Sequence, residues 1–224
     1  MPLEKTSGDE NVQTMRYLAL GDSYTIGESV AEAERWPNQL AALITSSPQF
    51  AKPTGGTEGG MEVTIIARTG WTTDELWQSI QAAQPGPPYD LVSLSIGVNN
   101  QYRGYEINEY REQFIILLNK SIEYAGGDPN RVMVLSIPDW GVTPFAAGRD
   151  RAQIAKEINA FNLVNRAESE KAGVHYVDVT PGSREAREDV SLVASDGLHP
   201  SGKMYSEWAR LAYHEAMKAL EISK

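Results

Sequence analysis

The chain has 224 residues, enough for one domain with a sizeable core, and its 41% hydrophobic and 22% charged residues are the balance of a soluble globular protein. Thirty acidic residues against twenty basic ones give a formal charge of −10, which argues against nucleic acid or insertion into an anionic membrane, because both reward positive charge. There is no cysteine, so a disulfide framework, a thiolate metal site and a cysteine nucleophile are all excluded.

Residues 1–14 are polar, lack the apolar centre of a signal peptide and read as a loose tail before a single domain over 15–224. No stretch approaches the ~18 apolar residues of a membrane span. With the missing disulfides this points to the cytoplasm, a processed secreted form staying open. Residues 17–20 form an apolar strand ending at Gly21, and 36–44 have helical spacing. The Pro- and Gly-rich segment 46–60 reads as a surface loop. Residues 63–67 are a second strand, followed by a short helix over 74–81 with Thr72 or Thr73 as its cap. A third strand, 91–96, ends at Gly97, and a helix over 108–125 closes in Gly126 and Gly127. A fourth strand, 132–137, stops at Pro138. A long helix over 150–171 is closed by Gly173. The fifth strand is 174–179 and the last helix 202–220.

Strands alternating with helices imply βαβ units and a parallel sheet, and near-continuous apolar strands imply a sheet covered on both faces. In such sheets ligands bind beyond the carboxyl ends of the strands. There the chain places Gly21-Asp22-Ser23-Tyr24 after the first strand, Arg68-Thr69-Gly70-Trp71 after the second and Gly97-Val98-Asn99-Asn100 after the third. Asp196-Gly197-Leu198-His199-Pro200 precedes the last helix and can fold over the same rim.

Ester cleavage by serine needs a base beside the hydroxyl, a carboxylate to orient that base, and donors for the oxyanion. Ser23 can be the nucleophile, His199 the base and Asp196 its orienter. The N–H groups of Ser23 and Gly70 and the amide of Asn99 can be the donors. These four blocks, in order across residues 21–200, resemble the SGNH or GDSL-type hydrolase family. The resemblance implies a flavodoxin-like three-layer α/β/α fold with a five-stranded parallel sheet. It also implies esterase, lipase, thioesterase or sugar-deacetylating activity with no metal or other cofactor. By position it makes Ser23, Asp196 and His199 catalytic and Ser23, Gly70 and Asn99 the oxyanion hole. One departure is Asn100, where the family usually has Asp; it bears on loop bonding rather than on catalysis.

Taken singly, each block has a plainer reading. Ser23 alone reads as a helix cap, and Gly70 and Asn99 as turn residues. His175, at the start of the fifth strand, and His214, within the last helix, are poorer bases than His199. The segment 197–203 has P-loop spacing, but Met204 stands where Mg²⁺ needs Ser or Thr; Thr25 breaks the Gly-x-Ser-x-Gly elbow; and no His pair has zinc spacing. Trp71, Tyr102, Tyr105, Trp140 and Phe145 follow strand ends and either line a substrate site or pack the loops, whereas Trp36, Trp77 and Trp208 read as core. The expected function is hydrolysis of a small soluble ester or acetylated sugar through an acyl-enzyme. An acyltransferase, a lysophospholipase or thioesterase, and a catalytically inactive binding module are the alternatives. Oligomeric state is not legible.

Overall fold

The computed structural model describes residues 14–48, 50 and 60–220. The expected tail over 1–14 therefore lies outside the described residues except for Thr14, as does most of the expected loop over 46–60. Five strands form one sheet: β1 (Met15–Gly21), β2 (Met61–Ala67), β3 (Leu91–Ser95), β4 (Val132–Leu135) and β5 (His175–Val177). Their order is β2-β1-β3-β4-β5, and every pairing is parallel. Helix α2 (Trp36–Thr45) packs on α8 (Gly202–Ala219). Helices α3 (Thr73–Ala83), α5 (Ile107–Tyr124) and α6 (Arg151–Ala172) pack in a row against one another. The chain is thus a three-layer α/β/α structure with helices on both sides of the sheet.

The strands obey the physics of a doubly covered sheet. All five side chains of β3 are buried, including Ser93, whose hydroxyl is satisfied 2.8 Å from Tyr17 Oη of β1. Trp36 and Trp208 are buried in the core, while Trp77 is half-buried against it. The helix signals act as expected: Asp150 caps α6 by accepting from Gln153 N at 3.0 Å, and Gly173 ends that helix with φ of 74°.

Strands 3, 4 and 5 are shorter than their apolar runs. At the fourth and fifth, side chains take over from the ladder: Ser136 Oγ accepts from the Val179 and Thr180 N–H groups at 2.8 and 3.0 Å. Three short helices had no signal in the apolar pattern: α1 (Ser23–Ile26), α4 (Val98–Tyr102) and α7 (Thr180–Ser183). Among the described residues no helix is long and apolar enough to cross a membrane.

Register decides where chemistry collects. Gly21 pairs with Ala67 of β2 and Ser95 of β3, so the carboxyl ends of these strands finish level. The chain then turns at once into α1, the Gly70 turn and α4, and Ser23, Gly70 and Asn99 emerge on one rim. Gly21 permits the tight exit of β1: a Cβ there would lie 2.1 Å from Thr25 Oγ1 and 2.5 Å from the Ser95 carbonyl oxygen.

Candidate active site

A cavity of about 160 Å³ opens on this rim. Ser23, Gly70, Asn99 and His199 all line it, with Tyr24, Thr69, Val98 and Leu198. Tyr102, Trp140 and Phe145 form an aromatic wall. Trp71 is not part of the lining: its ring packs, partly buried, against the core, and position 71 instead offers its carbonyl, which accepts from Asn99 Nδ2 at 2.9 Å. Tyr105 also lies outside the lining, its hydroxyl 3.5 Å from Asp74 Oδ1.

His199 reaches the cavity on a closed loop. Val193 and Pro200 form an antiparallel bridge, Ala194 N donates to the His199 carbonyl at 2.7 Å, and Phe145 N donates to the Gly197 carbonyl at 2.9 Å. Asp196 Oδ2 lies 2.6 Å from His199 Nδ1, while its Oδ1 accepts from the Leu198 and His199 N–H groups at 2.9 and 3.0 Å. Ser29, whose φ of 65° is left-handed, donates its hydroxyl to Oδ2 at 2.7 Å. Burial works to raise the Asp196 pKa, but the His199 ring bond, the two N–H bonds and the Ser29 bond outweigh it and hold the carboxyl well below the usual range. An ionised carboxylate only accepts, so Nδ1 is the donor to Asp196, which in the neutral ring leaves Nε2 as an acceptor.

Ser23 is buried at the start of α1 and shares the cavity wall with His199, but no hydrogen bond joins Ser23 Oγ to His199 Nε2. The cap function belongs to its neighbour: Asp22 Oδ1 accepts from Tyr24 N at 3.0 Å. Among the described residues no protein acceptor takes up the N–H of Ser23 or of Gly70. Gly70 has a φ of 87°, where a side chain is strained, and Arg103 Nη2 donates to its carbonyl at 2.6 Å. Asn99 Nδ2 carries two hydrogens, of which Trp71 takes one.

Asn100 is buried and both ends of its amide are bonded. Its Oδ1 accepts from Thr73 N at 3.1 Å and its Nδ2 donates to Thr73 Oγ1 at 2.7 Å, which leaves that hydroxyl to donate to Gln113 Oε1. His175 Nδ1 lies 2.9 Å from Glu215 Oε2, and His214 is exposed; neither lines the cavity. Among the described residues no group of three or more His, Asp or Glu side chains is placed to hold a metal ion.

Asp22 has a measurable signature of its own. Burial pushes its carboxyl up to about 7, against a smaller lowering by backbone N–H bonds. The folded state therefore binds more protons than the unfolded state between the ordinary carboxylate range and about pH 7, and stability falls as pH rises through that window. Wild type is expected to show a lower urea midpoint at pH 8 than at pH 5, and Asp22→Asn is expected to flatten this difference. Parallel profiles for the two proteins would contradict the assignment.

The fold and cavity define an α/β enzyme with its site on the carboxyl rim of a parallel sheet. A sequence model of the GDSL-like lipase/acylhydrolase family matches residues 19–206, and the chain belongs to that family. Membership of that family makes it a carboxylic ester hydrolase. Solved structures agree on the fold. A lipase from a goat rumen metagenome is 17% identical, with a TM-score of 0.69 over 92% of this chain and 100% of that one. A psychrotrophic esterase from Pseudoalteromonas sp. is 15% identical, with a TM-score of 0.67 over 92% and 98%. An acetylxylan esterase from Geobacillus stearothermophilus is 17% identical, with a TM-score of 0.63 over 93% and 95%. No curated protein matches the chain in sequence.

Proposed function

We propose that the enzyme cleaves small esters through an acyl-enzyme on Ser23, with His199 as base, Asp196 as its orienter, and Ser23 N–H, Gly70 N–H and Asn99 Nδ2 as oxyanion donors. The observation that carries this reading is the Asp196–His199 pair, 2.6 Å apart, on the cavity that Ser23, Gly70 and Asn99 also line. His199 Nε2 takes the Ser23 hydroxyl proton as Oγ attacks the ester carbonyl carbon. The carbonyl electrons move to the oxygen, which the three donors receive. Collapse breaks the bond to the alcohol oxygen, and that oxygen takes the proton from His199. Water then repeats the sequence, giving its proton to His199, releasing the acid and returning the proton to Ser23. Bonds between a nucleophile and its base are often long until substrate tightens them, so the absent Ser23–His199 bond is compatible with this role.

The cavity of about 160 Å³ has room for a short acyl group or a sugar acetate. The acetylxylan esterase with the same fold supports that size class. The Pseudoalteromonas esterase structure is inhibited by monoethylphosphonate, which supports serine chemistry on this fold. In a series of 4-nitrophenyl esters, kcat/KM is expected to be highest for acetate or butyrate and to fall about tenfold or more by octanoate, as apolar contacts give way to a chain the cavity cannot hold. A maximum at octanoate would favour the lipase or lysophospholipase alternative.

A further inference from the structure

We infer that Arg149 forms an anion subsite at the mouth of this cavity, and that the favoured ester carries a carboxylate. The inference rests on the proposed ester site. Tyr102 and Phe145 line the cavity yet are 47% and 41% exposed, so they form its outer rim, whereas Trp140 is buried behind them. One guanidinium covers all three rings: Arg149 Cζ lies 5.2 Å from the Tyr102 centroid and 5.3 Å from those of Trp140 and Phe145.

The rings are held in place from behind. Trp140 Nε1 donates to Gln101 Oε1 at 2.8 Å, and Gln101 Nε2 donates to Glu157 Oε2 at 2.7 Å. The Phe145 backbone is tied to Gly197, in the loop that carries His199. Arg149 therefore lies on a platform, tied through Trp140 and the Phe145 backbone, that borders the proposed reacting groups.

Arg149 keeps its charge and most of its donors. Nη2 donates to Tyr102 Oη at 3.1 Å; among the described residues this is its one side-chain hydrogen bond and no carboxylate pairs with it. Arg103, beside the same cavity, is instead occupied by the Gly70 carbonyl and by Glu75, 3.3 Å away. The guanidinium sits within cation–π distance of three rings and gives one N–H to Tyr102 Oη, and its remaining donors can meet a carboxylate with two parallel bonds. In a chain of net charge −10, a fixed cation at the rim also removes the local repulsion an anionic ester would meet.

The test compares esters that differ by one charge. On the acyl side the pair is mono-4-nitrophenyl succinate and 4-nitrophenyl butyrate. On the alcohol side it is 4-acetoxybenzoate and its methyl ester. The readout is the ratio of kcat/KM, charged over neutral, in wild type divided by that ratio in Arg149→Met. This quotient cancels intrinsic reactivity and any loosening of the wall that affects both esters alike. A value of about ten or more is expected in at least one pair, carried by KM, with Arg149→Lys intermediate because it keeps the charge and loses the fork. A quotient within twofold of one in both pairs would overturn the inference and leave Arg149 a packing residue. Ser23→Ala assayed on 4-nitrophenyl butyrate separates the two levels. Turnover retained there sinks the ester-site reading itself, whereas Ser23-dependent turnover with a flat quotient sinks only the anion subsite.

Discussion

Ser23→Ala is expected to lower kcat for 4-nitrophenyl acetate by about ten-thousand-fold, with Tm within about 2 °C of wild type. The size of the fall follows from what is removed. The hydroxyl is the only atom lost, and without it no acyl-enzyme forms; what remains is the weak acceleration from binding and oxyanion donors. The small stability change follows from the local structure. Among the described residues Ser23 Oγ makes no hydrogen bond, while the cap on α1 comes from Asp22 and the Gly27 N–H still closes on the Ser23 carbonyl at 3.1 Å. Steady-state kinetics with a thermal melt on the same preparation checks both parts. Activity above a tenth of wild type would place the nucleophile elsewhere.

Asp196→Asn is expected to lower kcat by about a thousandfold or more while KM changes little. The carboxylate accepts from His199 Nδ1 at 2.6 Å and so leaves Nε2 free to act as base. An Asn amide turned to keep the Leu198 and His199 N–H bonds presents a donor to Nδ1, which forces the ring proton to Nε2 and points it at Ser23. The same residue sets an acid limit on stability. Its folded pKa is depressed, so its contribution is complete above the ordinary carboxylate range and is lost as pH falls through that range and below. Acid denaturation of Asp196→Asn should therefore be less steep than that of wild type. Equal kcat in the two proteins would remove Asp196 from the mechanism.

Much of this arrangement was legible in the sequence for a simple reason. Parallel strands deliver whatever follows them to one edge, so Ser23, Gly70 and Asn99 could be placed together from strand boundaries alone. The short Asp196–His199 spacing brings its two side chains together within one loop. Features set by long-range contact were not legible. Ser29 bonds Asp196 across 167 positions from a left-handed backbone conformation, and no local pattern announces a serine there. Thr69, Tyr24, Val98 and Leu198 stand inside or beside the recognised blocks, but their part in the lining depends on how the blocks meet. Trp71 shows the converse. Its place after a strand suggested a ring in the site, yet the turn directs the ring to the core and offers the carbonyl to Asn99. Strand ends were overestimated where Ser136 diverts backbone donors to its hydroxyl, an effect invisible to hydrophobic pattern.

The central claim is that Ser23 and His199 act as one unit although no hydrogen bond joins Ser23 Oγ to His199 Nε2 in the structure. Treatment with an ethyl fluorophosphonate followed by intact mass and peptide mapping addresses it directly. The account predicts one phosphonyl group per chain, on Ser23, forming at least a hundredfold more slowly in His199→Ala. A label on another residue, or an unchanged rate without His199, would contradict it.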